Sequence, residues 1–492
     1  MVAAGAVVRF LFLTRKPFWF DEYFSAEVAR ISWGSFLHLL WWREANMSLY
    51  YVLLRIWMQL GHSEFYIRSL SVAISGATIP AVYWVARQLY DKRVALVAAA
   101  LFTFNAYSVR YAQEARSYAL FLLLATLSSG FVIAFAREPV RRNRIAYVLV
   151  SVLAVYAHFY ALLLLGVHWL ALNWLGRRGW STDQSRGQVP AELRRAWITI
   201  GIAVLPLLVF VAKTGAGPIR WIQRPGLHDL LAFCANLSGS NRWPLPVICA
   251  AACIVAATPA GRRLWARDQP WETWRSQFQL LWLLFPVAVT CLLSFARPVF
   301  LGRYMIFCLP ALLILVAYGL TRLRQAWLLA AALTGLLLLC MQGVFFIYAN
   351  DFDNERDSSG AAAGFVFDHA QTGDAVLFHI AETRIPYEFV RSLRAGENTA
   401  SAGFTRQLGP EILFPSHGAG LDYRDFTGKP TADFVRASAS SHPRLWLVLM
   451  NNGSAGNPDP TTVMLTKILQ ESLPKVEHWE FAKVEVRLYS KK

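Results

Sequence analysis

The sequence predicts an α-helical polytopic membrane protein of about eleven spans, read by length and loop charge, with a small C-terminal α/β domain. Three observations carry this. First, 56% of the 492 residues are hydrophobic and only 16% are charged, where a soluble domain carries about 25%. The mean hydropathy is +0.37. Second, apolar runs long enough to cross a bilayer recur through residues 1–348. Third, the charge is divided. Residues 1–348 hold 33 Lys/Arg against 13 Asp/Glu, and residues 349–492 hold 15 against 18. The net charge of +17 thus belongs to the membrane part, where loop topology accounts for it. No basic tract interleaved with aromatics marks the tail as a nucleic-acid binder. The predicted domains are 1–348 and 349–492.

The first apolar stretch, 2–14, is short. At 1.5 Å per residue it reaches about 20 Å, against a hydrocarbon core of about 30 Å. Either it is tilted with local thinning, or the sequence starts inside the first helix. No small-residue cleavage site follows it, so it does not read as a cleavable signal. Further spans lie near 65–86, 94–109, 117–136, 197–213, 244–260, 278–296, 304–320 and 326–348. Residues 145–176 are too long for one span and short for two. The flanking loops decide the reading. Arg137, Arg141, Arg142 and Arg144 precede this segment, and Arg177, Arg178, Arg186, Arg194 and Arg195 follow it. Both loops are expected on the cytoplasmic side. The segment therefore enters and returns, turning near Ala157-His158, as two short spans or a re-entrant pair shielded by protein. Loops 87–93, 261–277 and 321–325 are basic and inside. The amino terminus is then inside and the tail outside.

The six cysteines, Cys234, Cys249, Cys253, Cys291, Cys308 and Cys340, lie in or near apolar segments and read as small buried hydrophobes. In the tail, "GDAVLFH" and "RLWLVLMN" read as buried strands, "TTVMLTKILQESL" as a helix and "FAKVEVRLYS" as a last alternating strand. "ANDFDNERDSSGAAAG" reads as a polar linker and "NNGSAGNPDP" as a loop.

This topology puts Asp21, Glu22, Glu27, Glu44, Glu64, Glu114 and Asp229 on the outer side. Ionisable residues near membrane depth are costly, so they mark functional sites. Asp21 and Glu22 follow the aromatic run Phe18-Trp19-Phe20. Asp21 also reads as the N-cap of a short interfacial helix, with Glu22 in its first turn. A capped helix start is itself a rigid seat for a catalytic carboxylate. In "YAQEARSYALF", Tyr111, Gln113, Glu114, Arg116 and Tyr118 crowd an outer turn. The plain reading is an aromatic belt with a Glu114–Arg116 surface pair. Lys213, Arg220, Arg224 and Arg242 lie in or beside outer loop 214–243, and Arg297 and Arg303 flank another outer turn. Cations on that side ask for a partner, either lipid headgroups or a phosphate held by guanidinium forks. His158 is a weaker candidate, since a lone His is more often structural. There is no Walker motif and no Gly-rich dinucleotide turn. Outer acids and cations without a nucleotide site fit sugar transfer from a lipid phosphate. Cations would stabilise the leaving phosphate, and a carboxylate would take the acceptor's proton.

At these residues the chain resembles the GT-C glycosyltransferases, specifically bacterial relatives of dolichyl-phosphate-mannose–protein mannosyltransferases and of the lipid A aminoarabinose transferase. "FWFDEYFSAEVAR" resembles the first-loop Asp-Glu motif, "YAQEARSYAL" the second outer-loop signature, "YAHFYALLLL" the short broken pair and "LGRYMIFCLPALL" the late Arg-Tyr motif. The resemblance covers about residues 5–320. It implies an inverting, mannosyltransferase-like enzyme of the cell envelope. The implied donor is a polyprenyl-phosphate sugar, and the acceptor a lipid, glycan or protein, on the periplasmic face of a bacterial inner membrane. It puts the base on Asp21, with Glu22 as partner or alternative. Glu114 and Arg116 would shape the site, and Arg303 would help hold the lipid phosphate; Tyr118, His158 and Tyr304 are further candidate substrate-binding residues. Arg220 and Arg224 are added from charge and topology. Where many relatives have Pro-Pro before Leu-Tyr-Tyr, this chain has Asn46-Met47-Ser48. No cofactor is assigned; a divalent metal gathered by Asp21, Glu22 and Glu114 stays open. Two rivals stand beside the enzyme. A lipid-linked-sugar flippase predicts charges at mid-span or paired broken helices. A non-enzymatic scaffold leaves the outer acids unexplained.

Overall fold

Among the described residues of the computed structural model, six helices are long and apolar enough to cross a membrane by length and composition. The count is seven if Lys92–Phe104 and Ala106–Ala112, bent by 56°, form one span. Ala161–Asn173 and Pro244–Ala257 are apolar but shorter. The chain is a helical multi-pass membrane protein; the expected count of eleven includes short apolar segments beyond these. The structure describes residues 1–175, 188–214, 222–240, 242–261, 271–350, 357–398, 409–414, 428–450, 453–454 and 457–491. Arg220, the loop 176–187 and linker residues 351–356 lie outside them.

The helices follow the apolar runs closely. After α1 (Val2–Phe10) come α2 (Phe20–Arg30), α3 (Trp33–Trp42), α4 (Ser48–Trp57) and α5 (Glu64–Leu89). The run 94–109 is split into α6 (Lys92–Phe104) and α7 (Ala106–Ala112) by Asn105, whose side chain accepts from the Ser108 amide at 3.0 Å. An N-cap inside an apolar run starts a second helix there. The next are α8 (Tyr118–Arg137), α9 (Arg141–Ala157) and α10 (Ala161–Leu170). The break between α9 and α10 falls at His158, the position at which the sequence reading expects a turn. The chain continues with α11 (Gln188–Thr214), α12 (Leu227–Ser238), α13 (Pro244–Gly261) and α14 (Trp271–Ala296). A 3-10 turn, Gly302–Cys308, leads into α15 (Leu309–Thr321), and α16 (Ala326–Ala349) closes the series. The helix α12 lies in a stretch that reads from sequence as loop.

The chain divides into two compact units. The first holds Met1–Leu13, Leu40–Leu53 and Arg68–Asn350. Here α15 packs against α6, α13 and α14, and α8 lies along α9. Both α8 and the Gly302–Thr321 segment are largely enclosed, whereas α11, α14 and α16 leave apolar side chains such as Ile202, Leu292, Phe295 and Phe345 exposed. Helices apolar on all sides belong in lipid. Gly319 lets α15 approach α13 closely: a Cβ there would sit 2.1 Å from the Ala252 carbonyl oxygen. Close backbone approach at small residues is how helices pack where lipid removes the hydrophobic drive. Arg9 is fully buried. Its guanidinium donates to Ser75 Oγ (2.8 Å), Gly5 O (3.1 Å), Thr103 O (2.9 Å), Phe102 O (3.4 Å) and Ser108 Oγ (2.9 Å). It ties α1 to the ends of α6 and α7.

The second unit holds Thr14–Leu39, Leu54–Ile67 and Asp351–Lys492. Its helices include α17 (Ser359–His369), α18 (Arg384–Asn398), α19 (Ala432–Ser441) and α20 (Pro460–Ser472). The last six residues of the stretch read as a linker, 359–364, are thus helical. Its strands are β1 (Ala375–Phe378), β2 (Glu411–Phe414), β3 (Arg444–Met450), β4 (Gly453–Ser454), β5 (Asn457–Pro458), β6 (Lys475–Phe481) and β7 (Val484–Ser490). Five form a mixed sheet of order β2-β1-β3-β7-β6, with β1 parallel to β2 and β3, and β7 antiparallel to β3 and β6. The pair β4–β5 lies in the segment read as a loop. "RLWLVLM" is apolar without alternation because both faces are covered. Leu445, Leu447 and Leu449 pack with Val435, Leu465 and Leu469 of α19 and α20. Trp446, Val448 and Met450 pack on the other face with Ala362 and Val366 of α17. The edge strand β6 carries Lys475, Glu477 and Glu480, charges that discourage further strand pairing.

Candidate functional site

The sequence-predicted residues fall into two constellations, one in each unit.

In the second unit, Asp21 and Glu22 sit in the first turn of α2. The N-cap position is Trp19, not Asp21, and no side chain of that residue caps the helix. The capping oxygen comes from far along the chain: Asp357 Oδ2 accepts from the Phe20 amide at 2.9 Å. Asp357 Oδ1 also accepts from the Ser359 amide at 3.0 Å. The reason is steric and local. Phe18 and Trp19 are buried, so the aromatic run occupies the capping position and the two acids shift inside the helix, where its dipole favours them. Glu22 is fully buried, whereas Asp21 is partly exposed. Tyr23 locks the turn against Phe18 (5.4 Å) and Phe389 of α18 (5.3 Å).

Two further acids complete this region. Glu27 bonds Arg30 at 2.6 Å, yet burial, opposed by Arg30, pushes its carboxyl up to about 7. Glu382 lies in the short turn Ala381–Thr383 after β1. Burial, and after it the charge of Asp21, raise its carboxyl above the ordinary range. Glu382 was not singled out from sequence. The signal available was its position just beyond a parallel strand's carboxyl end, where α/β sheets carry ligand-facing residues.

The first unit brings together Arg116, Tyr118, His158, Arg303 and Tyr304. Arg116 precedes α8, and Ser117 takes its N-cap position. Arg303 and Tyr304 open the 3-10 turn before α15. His158 terminates α9. The His158 ring stacks on Phe121 (5.0 Å) and meets Tyr304 (4.7 Å), Tyr160 (5.3 Å) and Tyr118 (6.3 Å). The charges of Arg116 and Arg303 both act on it. His158 is 1% exposed and Arg116 7%. Glu114, 2% exposed, sits 3.7 Å from Arg110 Nε. The surface-pair reading of Glu114 and Arg116 is thereby replaced, since both are buried. Two guanidiniums, an imidazole and three phenols in one group, with Arg303 and Tyr160 only partly buried, suit an anion with several oxygens.

Asn46-Met47-Ser48 also has a role in this unit. Asn46 Oδ1 accepts from the Phe159 amide at 3.1 Å, and Ser48 Oγ donates to Tyr156 O at 3.3 Å. Met47 takes a φ of 68°. The segment thus grips both sides of the α9–α10 break, and Tyr160 OH donates to Val299 O on the stretch before Arg303. Arg224 is exposed in the run ahead of α12, and no contact ties it to the His158 group among the described residues. Lys213, likewise expected among the cations, lies 3.0 Å from the centre of the Trp42 ring. Among the described residues no three His, Cys, Asp or Glu side chains converge into a metal-holding group.

No protein-family model matches the chain, and no curated protein matches it in sequence. Solved structures do match in fold. ArnT from Cupriavidus metallidurans in the apo state aligns at TM-score 0.61 and 14% identity, covering 100% of this chain and 97% of that one. The same protein bound to undecaprenyl phosphate aligns at 0.59 and 13%, covering 99% and 97%. The Archaeoglobus fulgidus oligosaccharyltransferase in complex with Zn and sulfate aligns at 0.54 and 9%, covering 98% and 73%. Over its whole length, the chain shares the fold of these solved structures.

Proposed function

We propose that this chain is an inverting glycosyltransferase that moves a sugar from a polyprenyl-phosphate donor to a lipid, glycan or protein acceptor. The observation that carries the reading is the end-to-end likeness to a protein solved with undecaprenyl phosphate. The Arg116–His158–Arg303 group, with Arg116 and His158 buried and Arg303 partly so, supports it chemically. In this reading the two guanidiniums and Tyr304 hold the donor phosphate. As the sugar–oxygen bond breaks, the leaving phosphate gains negative charge, and donors already aimed at it stabilise that charge without reorganising. Glu114 and Tyr118 shape the same region. Asp21 takes the proton of the acceptor's attacking group, with Glu22 as its neighbour or substitute. Arg220 and Arg224 are kept as outer contacts for the anionic headgroup. The amino terminus is cytoplasmic, eleven segments enter the bilayer, the domain boundary lies near 348/349, and the site with its C-terminal domain faces the periplasm of a bacterial inner membrane. Membrane lipids are the surrounding partner.

The test is transfer of radiolabelled sugar from polyprenyl-phosphate donors to a membrane extract by purified protein. Asp21→Asn is expected to reduce transfer by about 10²- to 10⁴-fold, the usual range for losing a general base. Full transfer in both Asp21→Asn and Glu22→Gln would remove the catalytic assignment.

A further inference from the structure

The break after α9 leaves one group unused. The Tyr160 amide donates to His158 Nδ1 at 3.2 Å. A backbone amide has only a proton to offer, so Nδ1 must keep its lone pair. The ring is therefore neutral, with its single proton on Nε2. That Nε2 is buried and has no hydrogen-bond partner among the described residues. A buried donor left unmade is costly, and native proteins seldom leave one without cause. Phe121 covers one ring face, Tyr304 and Tyr160 crowd its surroundings, and Arg116 and Arg303 supply positive charge. A neutral donor among cations suits an anionic acceptor oxygen. The Asn46 and Ser48 contacts hold the peptides on either side, so the imidazole is preorganised for it.

We propose that His158 is a substrate-binding residue that donates an Nε2–H hydrogen bond to a phosphate oxygen of the lipid-linked substrate, as a neutral imidazole held in one tautomer by the Tyr160 amide. This rests on the reading that the site takes a lipid phosphate. It adds a distinction within that site. The arginines supply charge, and His158 supplies a directional donor that works without charge of its own.

Binding of undecaprenyl phosphate to the full chain in detergent tests it, with the uncharged polyprenol as the comparison ligand. His158→Phe keeps the aromatic contact with Phe121 and deletes the donor. It is expected to weaken phosphate-lipid binding by about 10- to 100-fold, the scale of a hydrogen bond to a charged group, and to leave polyprenol binding unchanged. His158→Gln, which retains an amide N–H, is expected to recover part of the loss, and a wild-type melting temperature for it shows that the break still folds. The pH dependence from about 5.5 to 8 is expected to be the same in wild type and His158→Gln, because a neutral donor does not titrate there. Equal phosphate-lipid binding in wild type and His158→Phe overturns the proposal alone. So does wild-type binding that strengthens below about pH 6.5 when His158→Gln does not, the mark of an imidazolium. Wild type that does not bind the phosphate lipid above the polyprenol removes the proposed function, and this proposal with it.

Discussion

Replacing Glu27 with Gln should stabilise the protein at alkaline pH and leave it unchanged below about pH 4. In the fold, burial raises the Glu27 carboxyl from 4.5 to about 7, even after the opposing charge of Arg30 is included. Each tenfold change in proton affinity is worth about 1.4 kcal/mol, so ionising Glu27 in the folded state costs about 3 kcal/mol more than in the unfolded chain. The sign follows from proton counting. Between these two values the folded protein holds a proton that the unfolded chain has released, so stability falls as pH rises. The stability contributed by the protonated acid is complete below about 4.5 and is lost as pH passes through about 7. Gln is neutral throughout. The variant should therefore match wild type near pH 4 and exceed it by up to about 3 kcal/mol at about pH 8.5. Melting in detergent, followed by tryptophan fluorescence across that range, would show the two curves diverging by a few °C as pH rises. A constant difference in melting temperature from about pH 5 to 8.5 would refute the argument, because it would mean that Glu27 does not titrate there.

Other substitutions test separate parts of the structure. Arg9→Met should lower stability by about 1–3 kcal/mol, the cost of leaving buried hydrogen-bonding groups unsatisfied, since Thr103 O and the Ser75 and Ser108 hydroxyls lose the Arg9 donor while Phe102 O keeps that of Ser108; an unchanged melting temperature would contradict this. Gly319→Ala should cost about 1–3 kcal/mol, because its Cβ meets the backbone of α13 rather than a side chain that can turn away, and thermal melting beside Gly335→Ala, where a Cβ meets nothing within 4 Å, isolates the effect. Asp459→Ala should destabilise the sheet domain by about 1–2 kcal/mol through loss of the α20 cap. Burial opposes ionisation of Asp459, but bonds from His379, Lys429, Thr462 and Thr461 outweigh it and hold its carboxyl well below the usual carboxylate range; hydrogen exchange of the Thr461 and Thr462 amides would report the change.

Much of the membrane architecture is legible in the sequence because lipid imposes one strong rule: apolar length decides where a helix can lie. The runs at 65–86, 117–136 and 326–348 became helices with nearly those bounds, and arginines on both sides of 145–176 required the break that the structure has at His158. Strand positions in "GDAVLFH" and "RLWLVLMN" were legible for a similar reason, since a short continuous apolar run between turn residues has few other homes. The strands β2 and β6 were not, because "EILF" is too short and "KVEHWEF" too charged to signal a buried face.

The site residues divide differently. Residue type and topology pointed to Asp21, Glu22, Arg116, Arg303 and, more weakly, His158, because acids and cations are rare enough in such a chain to stand out; Tyr304 came in with the family resemblance. Only the tertiary structure decided what each one meets. Asp357, some 337 positions from Phe20, supplies the oxygen at the start of α2, which left Asp21 free of the capping task that its neighbours' sequence suggested. Asn46 and Ser48 read as a lost Pro-Pro and prove to be the grip on the α9–α10 break. The His158 tautomer follows from one backbone amide two residues away. These are hydrogen bonds between groups brought together by folding, and no local pattern of hydrophobicity or charge encodes which donor will reach which acceptor.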